Sequence, residues 1–217
     1  MRTGFAKPTG EPWGMATNRL EAFSDGVIAV AVTLLVLSIN VPLPAKGVSL
    51  AQALGHNWPE YVAYAISFFT IGIIWINHHV MIGRLRQTDH SILILNLLLL
   101  MSIVILPFAT ELIATYLRQG HGQKLAAAIY SGAFLLMSIA FATLNQHILL
   151  RRSHLIEPPM ELAERRHVLA RSVSGLIPYA AATALAVVSP YVTLAICAGL
   201  AAFYATPAAS GGAPHRA

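Results

Sequence analysis

Charge is scarce in this chain. Asp, Glu, Lys and Arg make up 11% of its 217 residues and 56% are hydrophobic, whereas a soluble domain carries about 25% charged residues. The mean hydropathy is +0.65. That balance excludes a water-soluble globular domain and indicates an integral membrane protein. Cysteine is nearly absent. Cys197 stands alone in a late apolar segment, which excludes an intrachain disulfide framework and a thiolate metal site. Enzyme signatures are missing too: there is no GxSxG, HExxH, P-loop or dinucleotide fingerprint, so neither an enzymatic activity nor a cofactor is expected. No internal repeat is evident, nor are there matched broken helices in two halves, as secondary transporters carry. The net charge of +5 comes from basic residues scattered between apolar segments, which speaks for membrane topology and against nucleic acid.

What the sequence does have is long apolar runs. Six segments are candidate spans, at roughly 19–39, 60–82, 91–113, 125–150, 168–188 and 190–206. A span needs about 20 apolar residues. The sixth is short and only Ser189-Pro190 separates it from the fifth, so the two read as a tight helical hairpin. The expected fold is an all-α integral membrane protein with six transmembrane helices within residues 18–206. Mobile tails are expected at 1–17 and 207–217, which are rich in Gly, Pro, Ala and Thr. The first segment lacks a basic stretch directly before a short apolar core, and no small-residue cleavage site follows, so it reads as a span and not as a signal peptide.

Basic residues set the expected orientation. With six spans and a cytoplasmic N-terminus, Arg2, Lys7, Arg19, Arg84, Arg86, Arg151, Arg152, Arg165, Arg166, Arg171 and Arg216 fall on the inner side. Lys46, Arg118 and Lys124 fall outside. The positive-inside rule then puts both termini in the cytoplasm.

The chemistry concentrates in "EAFSDGVIAVAVTLLVLSI", residues 21–39. At about 100° per residue, Leu34 lies about 40° from Val30, Leu37 about 20° to the other side and Thr33 about 60°. These four share a stripe. Asp25 lies about 140° from its centre, toward neighbouring helices. An acid against hydrocarbon needs a partner or a purpose. The second span ends "WINHHVMIGRLR" and returns Trp75, Asn77, His78 and His79 to the depth of Asp25. Arg19, Ser24, Asp25, Asn77 and the two histidines therefore form a candidate hydrogen-bonded cluster, with Asn96 of the third span at similar depth.

Plainer readings stand beside these. Ser24-Asp25 serves equally well as a helix cap. His78 and His79 suit an interface near headgroups, as does His147. A metal site is disfavoured, because adjacent helical histidines point apart and no further ligand follows at i+4. A Val/Leu stripe is ordinary packing as often as a pore face. Thr70-Ile71-Gly72 resembles a fragment of a potassium-channel filter, but it sits within a continuous helix whose carbonyls are already bonded, so no filter is assigned.

The stretch "NRLEAFSDGVIAVAVTLLVL", Asn18 to Leu37, resembles the first helix of the transmembrane protein 175 family, the endosomal and lysosomal potassium channels and their prokaryotic relatives. The family's hallmark, an arginine followed four residues later by Phe-Ser-Asp, is matched by Arg19, Phe23, Ser24 and Asp25. "WINHHVMIGRL" extends the likeness. The resemblance implies a potassium-permeable cation channel without a carbonyl filter loop. It implies a homotetramer in the prokaryotic inner membrane, with potassium ions as the permeant partner and the first helices lining a central pore. Val30, Leu34 and Leu37, with Thr33 beside them, are the implied constriction. Arg19, Phe23, Ser24, Asp25, Asn77, His78 and His79 are the structural network. A proton-linked secondary transporter is the alternative, and a non-conducting membrane protein a third.

Overall fold

The computed structural model describes residues 17–42 and 47–206. The two tails, and Lys46 of the outer loop, lie outside these described residues. Among the described residues there is no β-strand. Five helical runs are long and apolar enough to cross a membrane: Thr17–Ser38, Trp58–Ile82, His90–Gln119, Gln123–Arg151 and Leu162–Leu185. A shorter apolar helix, Pro190–Tyr204, follows. The expected six-span order is therefore present, and the short sixth helix is joined to the fifth run by a turn.

Local chemistry sets the breaks. The first run is α1 (Thr17–Leu34), finished by a four-residue 3₁₀ turn, Leu35–Ser38. A short helix, α2 (Leu50–His56), lies in the following connection and opens on a capping box between Ser49 and Gln52. The second span is α3 (Trp58–Ile82), with Pro59 in its first turn, where the missing amide costs nothing. The third run divides into α4 (His90–Val104) and α5 (Leu106–Gln119). Pro107 causes the division, because it has no amide to offer the Ile103 carbonyl. Gly120 ends α5 in the left-handed region at φ 81°. The fourth span is α6 (Gln123–Gln146), continued by a π-turn over His147–Arg151. The fifth run divides at Gly175, ahead of Pro178, into α7 (Leu162–Ser174) and α8 (Leu176–Leu185). Last comes α9 (Pro190–Tyr204).

Helix α6 is the hub and packs against α4, α5, α7, α8 and α9. Its Tyr130, Phe134 and Met137 are fully buried. The Tyr130 and Phe134 rings meet edge to face at 4.8 Å, and Phe134 meets Tyr179 of α8 at 5.6 Å. Hydroxyls add interhelical bonds of the kind that hold membrane bundles together. Ser67 of α3 lies 2.7 Å from Thr110 of α5 and 3.1 Å from the Tyr130 hydroxyl.

One end of the bundle gathers the start of α1, the α3–α4 connection and the α6–α7 connection. Thr17 donates its hydroxyl to the Leu85 carbonyl at 3.2 Å. The Arg86 amide bonds to Leu155 at 3.0 Å and the Glu157 amide to Arg84 at 2.8 Å. Asp89 caps α4 by accepting the Ile92 amide at 2.8 Å and pairs with Arg152. Burial alone would raise the Asp89 carboxyl, but the Ile92 amide and the Arg152 guanidinium outweigh it and hold the group below its ordinary value. Most of the basic residues of the described chain crowd this end, while Arg118 and Lys124 lie at the other.

Candidate functional site

Helix α1 has two faces. Leu20, Ser24, Ile28 and Ala31 are buried, and the 3₁₀ turn continues the buried line with Leu35 and Ser38. The other face is bare. Val30 is 57% exposed, Leu34 42% and Leu37 69%, and Thr33 is exposed with them. The Thr33 hydroxyl donates to the Val30 carbonyl at 2.8 Å, so the face presents hydrocarbon without a free donor. The 3₁₀ turn alters the stripe. At three residues per turn, positions i and i+3 eclipse, so Leu37 sits directly above Leu34 and is not offset by the α-helical angle. Helical spacing carries the bare face down through Gly26 and Phe23 to Arg19, all exposed.

Behind that face lies a directional chain of hydrogen bonds. Ser24 donates its hydroxyl to the Leu20 carbonyl at 2.9 Å and accepts from the Asn96 side-chain amide of α4 at 3.0 Å. The Asn96 carbonyl oxygen lies 2.7 Å from His78 Nε2 of α3. With the Asn96 amide committed as donor to Ser24, its oxygen must accept, so His78 carries its proton on Nε2. His78, Asn96 and Ser24 are all buried, and among the described residues His78 Nδ1 has no partner. Asp25 is held separately: its Oδ1 accepts the Trp75 indole N–H at 2.8 Å. A third contact sets His79 Nδ1 2.6 Å from Glu21 Oε1. Three links thus tie α1 to α3 and α4 over little more than one helical turn.

The structure brings together part of the expected cluster. Ser24 and His78 join through Asn96, while Asp25 and His79 find other partners, Trp75 and Glu21. Asn77 donates to the Ile73 carbonyl of its own helix at 2.8 Å and faces away from α1. Arg19 and Phe23 stand on the bare face, Phe23 at 52% exposure. Among the described residues, no group of three or more His, Cys, Asp or Glu side chains gathers as a metal site would require.

A second polar cluster clamps the far end of α1. Glu60, 0% exposed in the first turn of α3, accepts the Asn40 backbone amide at 2.7 Å and the Asn40 and Asn57 side-chain amides at 3.4 Å each. Arg118, near the end of α5, forms an ion pair with it. The Asn57 side chain also donates to the Asn40 carbonyl at 3.0 Å. The chain leaving the stripe is therefore fixed two residues beyond Ser38. Sequence reasoning missed this cluster. The signal was an acid at the start of a span with an unexplained arginine at the end of another.

Comparisons place the chain among known proteins. The family model described as "Endosomal/lysosomal potassium channel TMEM175" matches residues 19–107. A potassium channel of Streptomyces collinus is 41% identical over 188 residues, covering 87% of this chain and 91% of the relative. The Homo sapiens endosomal/lysosomal proton channel TMEM175 is 33% identical over 181 residues, 79% of this chain but 36% of that protein. The crystal structure of a lysosomal potassium-selective channel TMEM175 homolog from Chamaesiphon minutus superimposes with a TM-score of 0.78 at 37% identity, covering 87% of this chain and 96% of that one. With its Arg19, Phe23, Ser24 and Asp25 motif on a helix held this way, the chain belongs to the TMEM175 family.

Proposed function

We propose that this protein is a potassium-permeable cation channel in which four copies surround a pore lined by α1. The observation that carries the reading is the bare aliphatic stripe of Val30, Leu34 and Leu37 on the helix whose opposite face is bonded into the subunit. The relatives named as potassium channels support it. One subunit cannot enclose a pore with one helix, so closed cyclic symmetry is required. Rings of valine and leucine make a passage narrow enough to dewet, which blocks ions until the rings part. Such rings offer no oxygen to replace lost water. Preference for potassium over sodium then rests on its lower dehydration cost, with Thr33 as the nearest hydroxyl. The crowding of basic residues at the end where α1 begins supports cytoplasmic termini and the inner membrane.

The test is ion flux from liposomes holding the purified protein, with mass by light scattering for subunit number. Potassium efflux should exceed sodium efflux, and Leu34→Ala or Leu37→Ala should raise flux and lower the preference. Proton gradients belong in the same assay, because vertebrate relatives are named proton channels. Unchanged flux and preference in both variants would remove the stripe from the pore. Saturable proton movement that depends on a co-substrate would indicate a transporter instead.

A further inference from the structure

A crevice of about 330 Å³ separates α3 from α6, α7, α8 and α9 on the side of α3 away from α1. Along α3 it runs from Thr70 to Arg84, about 21 Å of helix axis. One bilayer leaflet has about 15 Å of hydrocarbon below its headgroups, so the crevice has the depth of a leaflet. Its inner part is mainly apolar, lined by Ile73, Met137 and Phe141, with Thr70, Ser138 and Tyr179 among them. Ile76 and Val80, both exposed, flank its opening toward lipid.

Its basic end is different. Arg84, just past α3, and Arg171 of α7 both line it, and both are half-buried. Among the described residues neither guanidinium makes a hydrogen bond or ion pair. Arg165, by contrast, is bonded to the Met160 carbonyl at 2.9 Å. Asn77 and Ser172 add polar atoms to the same wall. Two cations facing one cavity repel each other and lose water unless an anion sits between them. Guanidinium forks suit phosphate oxygens. Basic pockets between transmembrane helices at the basic side take anionic headgroups.

We propose that this crevice is a binding site for one anionic phospholipid, with its phosphate between Arg84 and Arg171 and an acyl chain along the apolar wall toward Thr70. The charge pair selects the headgroup and the apolar depth selects a lipid over a free anion. The site is separate from the α1 stripe, so the proposal does not depend on conduction.

The test uses the intact protein, purified in detergent and stripped of lipid. Phosphatidylglycerol, phosphatidylcholine and soluble glycerol phosphate are each added, and retained lipid is counted by native mass spectrometry alongside thermal stability. Phosphatidylglycerol should bind and raise the midpoint, with phosphatidylcholine bound at least tenfold more weakly. Arg84→Gln with Arg171→Gln should bring the two lipids to within about twofold of each other. Equal binding of both lipids to the unaltered protein would overturn the proposal. So would a double variant that keeps the full preference, or glycerol phosphate stabilising as well as the lipid does. If the double variant does not fold, the lipid comparison on the unaltered protein decides alone.

Discussion

Replacing Arg118 with alanine strands the Glu60 carboxylate, which has no exposed surface of its own. Its remaining donors are the Asn40 amide at 2.7 Å and two side-chain amides at 3.4 Å. Only the first is short. Removing one partner of a buried ion pair costs about 3–5 kcal/mol, because the other charge is left uncompensated. The reverse deletion is milder. Arg118 is 29% exposed, so after Glu60→Ala its guanidinium can turn to water, and the cost is the loss of bonds to Asn40 and Asn57, about 1–3 kcal/mol. The double variant Glu60→Ala/Arg118→Ala should then be more stable than Arg118→Ala alone, a second mutation that rescues the first. The assay is thermal unfolding in one detergent, scored as the order of midpoints: unaltered protein, then Glu60→Ala, then the double variant, then Arg118→Ala. Arg118→Ala equal to or above Glu60→Ala would refute the reasoning, since it would mean that the carboxylate finds water or another cation.

Three further outcomes follow from the same geometry. Asn96→Leu leaves His78 Nε2 without its buried acceptor and takes a donor from the Ser24 oxygen, whose hydroxyl still bonds Leu20, and should lower stability by about 1–3 kcal/mol; an unaltered midpoint would break the chain of bonds assigned to it. Trp75→Phe removes the indole donor to Asp25 and should cost less, about 0.5–1.5 kcal/mol, read against Asn96→Leu in the same melt. Asp89 has its folded pKa held below its ordinary value of 3.8, so its contribution is complete above that value and fades as pH falls through the folded pKa. Asp89→Asn keeps a capping side chain and loses the charge. The stability gap between the two proteins should therefore be constant above about pH 5 and shrink steadily as pH falls below about 4; a gap that stays the same from about pH 6 down through the acid limb would contradict the assignment.

Much of this architecture was legible in the sequence, for identifiable reasons. Long apolar runs declare spans by length alone, and the turn at Ser189-Pro190 marked the final hairpin. The depth argument brought Ser24, Asn96 and His78 to one level because α1 and α3 run in opposite directions. What misled was adjacency in sequence. Phe23, Ser24 and Asp25 read as one unit, yet consecutive helical residues point about 100° apart, so Ser24 turns inward, Asp25 meets α3 and Phe23 stays on the bare face. Asn77, next to His78, is turned away for the same reason. The Glu60 cluster was hidden by distance, since Glu60 and Arg118 are 58 residues apart and each alone resembles an ordinary charge at a span end. The 3₁₀ turn was hidden because "LLVLSI" carries no glycine or proline to announce a change of winding.

That change of winding gives the last turn of the stripe a length and a phase. Rewound as α-helix, Leu35–Ser38 would be about 2 Å shorter. Leu37 would also swing about 60° out of line with Leu34. Asn40 is bolted to Glu60 by backbone and side chain alike, so the turn cannot shorten without dragging on a buried acid two helices away. The tightly wound turn behaves as a spacer under a fixed washer. The bolt sets which way the outermost leucine points.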